Sequence, residues 1–399
     1  RNPWRPEGGS MRAARLLAAC AAWSVVMPAY PGAGARSGGA VDALVPREVG
    51  RCHESATERR AKHRVAMATI VNNEGRWLPE WIMFHRLLGV DHFYIYDDKS
   101  TDDTRDVVRA FAELGWATLY DDVVALQREF AIDVPAHVRF TPQFVIVQHV
   151  ARAHAQDTEW LALFDVDEFL LPRTSAWLCI GDALIRSHAK CGVLRLRGTL
   201  FLPNTTETRP LPPSRLLIDT ASFFVPVASL HDKDRVPLHK NFARPEAIAR
   251  IDHGGIHNMR PSGGYTLHIA KPTALFFAHF RYRTLSDFAA KKRKAYAGHA
   301  DKSAVWERLT LALLDYKRAG VALPATHPLR RYKRPMRQFY ASFRAWYAQP
   351  SPRPQLDVPL AFGQVRPTAA PTGVASALRG RATAAPAAEC GSNHSSAFC

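Results

Sequence analysis

The chain has 399 residues, enough for one large domain or two ordinary ones with a sizeable core. Its hydrophobic content of 47% and aromatic content of 10% are those of a globular protein and exclude an intrinsically disordered chain. The 53 Lys and Arg outnumber the 36 Asp and Glu. The resulting charge of +17 favours anionic partners such as phosphorylated ligands, acidic glycans, membrane headgroups or nucleic acid, without choosing among them.

Residues 1–60 carry a targeting pattern followed by a linker. Arg12 and Arg15 precede an apolar run from residue 16 to residue 30, and small residues follow that run. This order is typical of a secretory signal, and the run is shorter than the ~20 residues that a membrane-spanning helix needs. We predict a signal peptide or a marginal signal-anchor here, with an Arg-rich transit peptide as the alternative.

The six cysteines argue against some sites and leave others open. None belongs to a Cys-x-x-Cys pair, which argues against a zinc ribbon and a thioredoxin-type site. Cys179 and Cys191 are close enough in sequence to form a local disulfide in an oxidising compartment, and buried thiols are an equal alternative. Cys390 and Cys399 can pair in the same way.

From residue 65 the chain alternates apolar runs with helical patterns. Four runs are apolar enough for buried strands: 65–71, 92–96, 116–120 and 160–164. Amphipathic spacing predicts helices at 78–88, 103–114 and 143–155, and residues 121–141 are predicted to form a loop. Strands that alternate with helices over short connections predict an α/β fold with a mostly parallel sheet.

The pattern becomes less regular further along the chain. A helix is predicted at 176–189 and a strand at 193–197, and residues 198–275 are loop-rich with a short strand at 223–227. A last strand is predicted at 274–280, and helices follow at 285–296, 304–319 and 335–347. Residues 350–399 are rich in Pro, Ala, Gly and Ser and are predicted to be disordered.

Carboxylates follow three of the predicted strands, at Glu74, at Asp97 and at the Asp-x-Asp of Asp165 and Asp167. In a parallel sheet these three ends lie along one edge, which is where ligands bind in open α/β folds. Two adjacent carboxylates suit a divalent cation that keeps waters and also binds phosphate, and a capped strand end is the alternative. The glycine-rich loops of dehydrogenases and P-loop ATPases are absent, which argues against both classes.

Four strings resemble glycosyltransferase family 92 and its family-2-like relatives. They are VNNEGRWLPEWI at 71–82, GVDHFYIYDDKSTD at 89–102, WLALFDVDEF at 160–169 and HFRYR at 279–283, with Lys240, Pro245 and His257 between the last two. As a set they are specific and cover about residues 65–295. Two loops depart from the family: the first has Asn-Asn-Glu for Lys-Asn-Glu, and the second has Asp-Lys for Asp-Asn. The nucleotide preference therefore stays open.

The resemblance implies a GT-A fold, which is a Rossmann-like, mostly parallel sheet flanked by helices; a helical C-terminal segment follows it here. It further implies a metal-dependent glycosyltransferase that moves a hexose from a nucleoside diphosphate sugar, first of all a UDP-sugar, to a glycan or glycoprotein acceptor. The implied cofactor is Mn²⁺ or Mg²⁺. By this resemblance Asp165 and Asp167 bind the metal and the diphosphate, Glu74 and Asp97 contact the nucleoside, and a later histidine completes the site.

Two histidines and two arginines further along the chain are candidate site residues, each pair with an alternative interpretation. His279 ranks first as the third metal ligand and His257 second, although a lone histidine is more often a hydrogen-bonded structural residue. Arg281 and Arg283 are placed to offset charge on the leaving diphosphate, and a solvated basic surface is the alternative.

The general base stays open. An inverting enzyme needs a carboxylate that deprotonates the acceptor hydroxyl. Glu168, Asp232 and Asp234 are weak candidates, and Glu207 and Asp252 are also possible. For Asp232 and Asp234, an ordinary charged surface loop is an equally good interpretation.

We divide the chain into the signal or anchor and linker (1–60), a GT-A glycosyltransferase domain (61–300), a helical extension (301–349) and a disordered tail (350–399). We expect the protein in the secretory pathway, in the Golgi lumen or at its membrane through the N-terminal segment; secretion or organelle targeting is the alternative. Nucleic acid is not an expected partner.

Three other functions are alternatives. A catalytically degenerate GT-A-like protein would bind anionic glycan or nucleic acid through the +17 surface. A sugar nucleotidyltransferase would need a glycine-rich basic loop after the first strand, which residues 72–75 do not provide. A glycoside hydrolase would need two carboxylates facing each other across a cleft at ~5–9 Å, and neighbouring residues on one strand end do not face each other.

Overall fold

The computed structural model describes residues 61–134, 141–172, 180–185, 190–203, 211–225, 239–251, 259–270, 275–284, 287 and 321–350, apart from positions 213, 263, 282 and 326. The segment 1–60 and residues 351–399 lie outside this part of the chain, and so do the helices predicted at 285–296 (apart from residue 287) and 304–319. Within the described ranges no helix combines the length and apolarity needed to cross a bilayer.

Four strands form the parallel part of the central sheet. They are β1 (His63–Val71), β2 (His92–Asp97), β3 (Ala117–Tyr120) and β4 (Thr158–Leu163), in the spatial order β4-β1-β2-β3. Val71 at the end of β1 pairs with Asp97 at the end of β2, and Ala68 pairs with Leu163 at the end of β4. The carboxyl ends of these strands lie at one edge of the sheet, as the sequence predicts.

The helices that connect these strands include one that the sequence does not predict. Three agree in position with the amphipathic patterns: α1 (Leu78–Leu87), α2 (Thr104–Glu113) and α4 (Thr141–Ala153). Between the last two lies α3 (Val123–Glu129), inside the predicted loop 121–141. It begins where the side chain of Asp122 accepts a hydrogen bond from the N–H of Ala125 at 2.8 Å, which is the bond of a helix N-cap.

The second half of the chain turns the sheet from parallel to mixed. Its elements are β5 (Glu168–Pro172), α5 (Ile180–Ile185), β6 (Cys191–Pro203), α6 (Leu217–Thr220), β7 (Ala221–Val225), β8 (His239–Ala243), β9 (Ile248–Ile251), β10 (Met259–Pro261), β11 (Thr266–Ile269), β12 (Leu275–His279), β13 (Val321–Ala322) and α7 (Leu329–Tyr347). β8 lies between β4 and β6 and runs antiparallel to both, whereas β12 is antiparallel to β5 and parallel to β6. β9 and β10 form a separate two-stranded pair.

Strand β6 spans 13 residues, far more than the predicted 193–197, and changes partners along its length. Its first half pairs with β8 and β11, and its second half pairs with β7 and β12. Gly198 lies at the change-over. A Cβ atom there would lie 2.4 Å from the ring of Phe277 on β12, so only glycine lets this ring lie against the strand.

Helix α7 covers one face of the domain. It begins at Leu329, six residues before the predicted start, and buries an aromatic stripe that includes Phe339, Phe343 and Trp346. The rings of Phe343 and Phe111 on α2 stack with centroids 4.5 Å apart. The helical C-terminal segment is confirmed, and the α/β fold is confirmed with a mixed sheet.

Cys191 is buried on β6. Cys179 lies outside the described ranges, so the disulfide and the buried-thiol alternatives both stay predictions.

Candidate functional site

The loops after β1 and β2 are joined by their own polar groups. Asn73 has φ of +55°, a left-handed conformation that asparagine tolerates. Its side-chain oxygen accepts the N–H of Thr101 at 2.6 Å, and its own N–H donates to Ser100 Oγ at 2.8 Å. The N–H of Glu74 donates to Thr104 Oγ1 at 2.9 Å. These bonds fix the backbone that carries Glu74 at the sheet edge.

Asp97 ends β2 with a fully buried carboxylate. The N–H of Ser100 lies 3.2–3.3 Å from its two oxygens, and Arg105 Nε donates to Oδ2 at 2.7 Å. A nucleoside that contacted Asp97 directly would have to displace or share Arg105.

After β4 the chain makes a tight turn through Asp165 and Asp167 into β5. The N–H of Glu168 donates to the carbonyl of Asp165 at 2.9 Å, and the N–H of Asp165 donates to Glu168 Oε2 at 2.9 Å. Lys240 on β8 extends its ammonium to 2.9 Å from Asp165 Oδ2 and 2.8 Å from Glu168 Oε2. Asp165 keeps 37% of its side chain exposed, whereas Lys240 and Glu168 are buried.

Helix α1 supports this turn from behind. Trp81 Nε1 donates to the carbonyl of Glu168 at 2.9 Å, and His85 Nε2 accepts the N–H of Leu170 at 3.1 Å. His85 Nδ1 donates to the carbonyl of Trp81 at 2.9 Å, which fixes the tautomer. Because burial lowers the pKa of His85 to about 3, the imidazole stays neutral in this role.

Asp167 faces residues from the end of β12. Its carbonyl accepts the N–H of Phe280 at 2.7 Å, and its Oδ1 lies 3.6 Å from His279 Nε2. Arg283 lies 4.0 Å from Asp167 Oδ2 and makes a short ion pair with Glu74. Side chains that follow the ends of β1, β4 and β12 therefore meet at one point.

The electrostatics of this cluster favour a further cation. Burial and the charges of Asp165 and Asp167 raise the pKa of Glu168 to about 8, although Lys240 opposes the shift. Burial would lower the pKa of Lys240, but the carboxylates of Asp165 and Glu168 outweigh it and raise that pKa. Burial also lowers the pKa of His279 to about 3. Because its raised pKa keeps Glu168 largely protonated at neutral pH, three charged carboxylates, Glu74, Asp165 and Asp167, face the two cations Lys240 and Arg283 and the neutral imidazole of His279.

The donor chemistry suits a hard divalent cation, with a limited set of protein ligands. Across the part of the chain that the structure describes, no three His, Cys, Asp or Glu side chains converge on one metal position. The donor atoms of Asp167 and His279 do approach each other at 3.6 Å. Mg²⁺-like ions are held by one or two carboxylates and completed by waters and phosphate oxygens, so a pair of protein ligands fits such an ion.

A small, shallow pocket open to solvent adjoins this cluster, between the ends of β1 and β4 and the start of α4. Asp165 and Thr69 give it polar groups, and Gln143 adds a side-chain amide from α4. The remaining lining is apolar: Ala68, Ile70, Ile146, Leu163 and Phe164. The pocket therefore offers a partly apolar wall beside the exposed carboxylate of Asp165.

Most of the predicted site residues lie together at this edge: Glu74, Asp97, Asp165, Asp167, Glu168, His279 and Arg283. Arg281 is half-buried in the turn after β12, and its charge helps to lower the pKa of His279, after burial as the main cause. The alternative ligand His257 and the base candidates Asp232, Asp234, Glu207 and Asp252 lie outside the described residues.

Two residues of the cluster have no predicted role. Lys240 belongs to a matched string, but its partner Asp165 lies 75 positions away in sequence. A signal was available in the strand HKNFA, where a lysine among buried positions requires a carboxylate partner. Arg105 lies only eight residues after Asp97, and nothing in its spacing marks it as the partner of that carboxylate.

The family model for glycosyltransferase family 92 matches residues 61–307, more than half of the chain. The chain belongs to glycosyltransferase family 92. A family 92 protein of Ricinus communis is 24% identical over 231 residues, which are 57% of this chain and 37% of the relative. A family 92 protein of Arabidopsis thaliana is 24% identical over 234 residues, with 58% and 37% coverage. This family 92 member therefore spans little more than a third of the length of these relatives.

Solved structures resemble this family 92 member at a distance. Staphylococcus aureus TarS, in complex with UDP, matches with a TM-score of 0.30 at 11% identity over 63% of this chain and 71% of that chain. Glucosyl-3-phosphoglycerate synthase of Mycobacterium tuberculosis, in complex with Mn²⁺, UDP and glucosyl-3-phosphoglycerate, matches with a TM-score of 0.30 at 15% identity, over 71% and 86%. These likenesses are too remote to say what this chain binds.

Proposed function

We propose that this family 92 member is a metal-dependent glycosyltransferase that moves a hexose from a nucleoside diphosphate sugar, first of all a UDP-sugar, to a glycan or glycoprotein acceptor. The observation that carries the proposal is the cluster at the sheet edge. There Asp167 faces His279 at 3.6 Å, and Asp165 exposes its carboxylate beside them. The excess of carboxylates over cations in this cluster suits a divalent ion, and family membership supplies the reaction class.

In this proposal Asp167 and His279 hold Mn²⁺ or Mg²⁺, and Asp165 is a further ligand or binds the diphosphate through the ion. The neutral imidazole of His279 has a lone pair to offer because burial lowers its pKa to about 3. When bound, such an ion supplies Lewis-acid stabilisation of the negative charge on the departing diphosphate. His257, beyond the described residues, stays the second candidate for the histidine ligand.

The two arginines have different tasks in this proposal. Arg283 is buried and committed to Glu74, so it orients Glu74 and Asp167. Arg281 is only half-buried, which makes it the better placed of the two to contact a diphosphate. Glu74 and Asp97 shape the nucleoside side of the site, at the ends of β1 and β2.

We assign Glu168 to the scaffold, since its carboxylate has 2% exposure and is engaged by Lys240 and by the N–H of Asp165. The general base is then sought among carboxylates beyond the described residues, with Asp232 and Asp234 first. We also propose that the protein acts in the secretory pathway, in the Golgi lumen or at its membrane, because of the targeting pattern in residues 1–60.

A thermal-shift screen of nucleoside diphosphates with and without Mn²⁺ tests the proposal. At saturating UDP and Mn²⁺ we expect the midpoint of the wild type to rise by about 5 °C. Asp167→Asn should lose this rise. Asp157→Asn is the matched control, because Asp157 precedes β4 at the opposite edge of the sheet and is half exposed. Hydrolysis of UDP-sugars by the wild type then checks turnover.

Two outcomes would count against the proposal. If no nucleoside diphosphate stabilises the wild type with or without metal, the glycosyltransferase assignment fails. If nucleotide binds but no nucleotide sugar is ever turned over, and a polyanion binds with a steep salt dependence instead, the degenerate binding protein is the better description.

A further inference from the structure

Lys240 occupies a position that is unusual for a lysine. It lies on β8, which is flanked by β4 on one side and β6 on the other, and its side chain has 0% exposure. A buried ammonium is costly unless it is paired and hydrogen-bonded. Lys240 meets this requirement with two carboxylates, at 2.9 Å from Asp165 Oδ2 and 2.8 Å from Glu168 Oε2.

Both partners of Lys240 belong to the turn that carries the Asp-x-Asp pair. The N–H of Asp165 donates to the Glu168 oxygen that faces Lys240, so the ammonium and the backbone share one acceptor. Asp165 is accessible from solvent, but Lys240 holds its Oδ2 atom from the protein side. The contact is therefore placed to fix how Asp165 presents its carboxylate, while Lys240 itself is buried away from solvent.

We propose that Lys240 is a positioning residue, whose buried charge sets the Asp165–Glu168 turn in the geometry that binds the metal and the diphosphate. This rests on the proposed function, since the ligand of the turn is the metal–nucleotide pair. Without the ammonium, Asp165 loses the donor that holds its Oδ2 atom from the protein side. Asp165 then turns away towards solvent, where its charge is better hydrated.

A purely structural lysine would give a different result from a positioning one. A structural role predicts that substitution lowers stability and leaves the ligand affinity of the folded protein unchanged. A positioning role predicts a loss of affinity that can be reversed by supplying a new donor to Asp165, with no volume restored. The amide introduced by Glu168→Gln lies beside Asp165 and can donate to it in place of the ammonium.

The test measures dissociation constants by calorimetry at 15 °C, for Mn²⁺ alone and for UDP with Mn²⁺, on proteins whose folding is checked by circular dichroism. We expect Lys240→Met to weaken binding of UDP with Mn²⁺ at least tenfold. The double variant Lys240→Met with Glu168→Gln should return to within about threefold of the wild type. Glu80→Gln is the control, because it alters a carboxyl group that is equally buried but accepts the N–H groups of Leu217 and Ile218 instead of holding the Asp165–Glu168 turn.

The outcomes separate this inference from the proposed function. Wild-type protein that binds neither probe overturns both. If the wild type binds and Lys240→Met binds within twofold of it, only the role of Lys240 is overturned. If Lys240→Met does not fold, the double variant decides alone: binding near the wild-type value supports the inference, and loss of binding in a folded double variant overturns it.

Discussion

At the scale of single residues, Arg283 connects distant parts of the chain. Its guanidinium pairs with Glu74 after β1, lies 4.0 Å from Asp167 after β4, and stacks over the ring of Trp77 with its Cζ 5.0 Å from the centroid. The exposed fractions of its side chain and of Glu74 are 3% and 13%. A buried charge of this kind is strongly coupled to its partner, because neither can be hydrated if the other is removed.

We expect Arg283→Met to lower the free energy of unfolding by about 3–5 kcal/mol, since it leaves the carboxylate of Glu74 without its counter-ion. Adding Glu74→Gln should recover most of this loss. Urea denaturation of both variants measures the coupling. Arg109→Met is the control, because the Arg109–Asp106 pair is more than half exposed on both sides and should contribute less than about 1 kcal/mol. Equal losses for Arg283→Met and Arg109→Met would contradict the prediction.

At the scale of elements, a single carboxylate joins α1 to the short helix α6. Glu80 on α1 accepts the N–H of Leu217 at 2.6 Å and that of Ile218 at 2.9 Å, the two groups that open α6. These N–H groups have no partner within their own helix, so Glu80 caps it from another element. Burial raises the pKa of Glu80 from its ordinary 4.5 to about 7, against the effect of these two bonds.

Glu80→Gln should reduce the free energy of unfolding by about 1–3 kcal/mol, since an amide offers one acceptor where two N–H groups point. The sign of the pH dependence follows from the raised pKa. The contribution of Glu80 is complete below pH 4.5 and is lost as the pH rises through 7. The difference between wild type and variant should therefore be larger at pH 5 than at pH 8. Chemical denaturation at both pH values measures this difference, with the exposed Glu129→Gln as control. A difference in the free energy of unfolding that is the same at pH 5 and pH 8 would contradict the prediction.

The elements also show what the sequence could predict. β1, β2 and β4 were predictable because each is a continuous apolar run followed by a carboxylate, which is the pattern of a buried parallel strand with a functional end. β8 was not, because HKNFA contains three polar residues. It is a strand only because β4 and β6 pair with it on both sides and Asp165 neutralises its lysine. Such partners are set by tertiary structure, and local pattern does not contain them.

The same limit applies inside the site. Asp165, Asp167 and His279 could be proposed from strand ends and family resemblance. The separate roles of these residues could not be predicted from the sequence, because they depend on which carboxylate oxygens Lys240 and Arg283 contact. Asp97 is an example: its place at the end of β2 indicates nucleoside contact, but its carboxylate is already bound by Arg105 and Ser100.

At the scale of the whole molecule, buried imidazoles dominate the response to acid. Burial lowers the pKa of five histidines from 6.5 to about 3 or 4: His63, His85, His92, His149 and His279. Each contributes stability that is complete above pH 6.5 and is lost as the pH falls towards its folded value. Glu80 and Glu168 act in the opposite sense, because their raised pKa values remove stability as the pH rises towards 7 or 8.

The metal-free protein should therefore be most stable near pH 6.5. The loss of stability should be steeper on the acid side, because the five histidines lose stability there and only the two glutamates gain it. Thermal midpoints between pH 4 and pH 9 at constant ionic strength measure this profile. A midpoint that still rises from pH 6.5 down to pH 5 would contradict it.

The place of β8 also has a consequence for the order of events during folding. β8 follows both β4 and β6 in the chain, yet it lies between them in the sheet. We therefore expect its two long-range pairings to form after the more local pairings among β1, β2 and β3. Lys240 reaches Asp165 only when β8 is in place. During refolding, helical and sheet signals should therefore return before the proposed ability to bind nucleotide, and the candidate site at the sheet edge should be among the last parts of the chain to form.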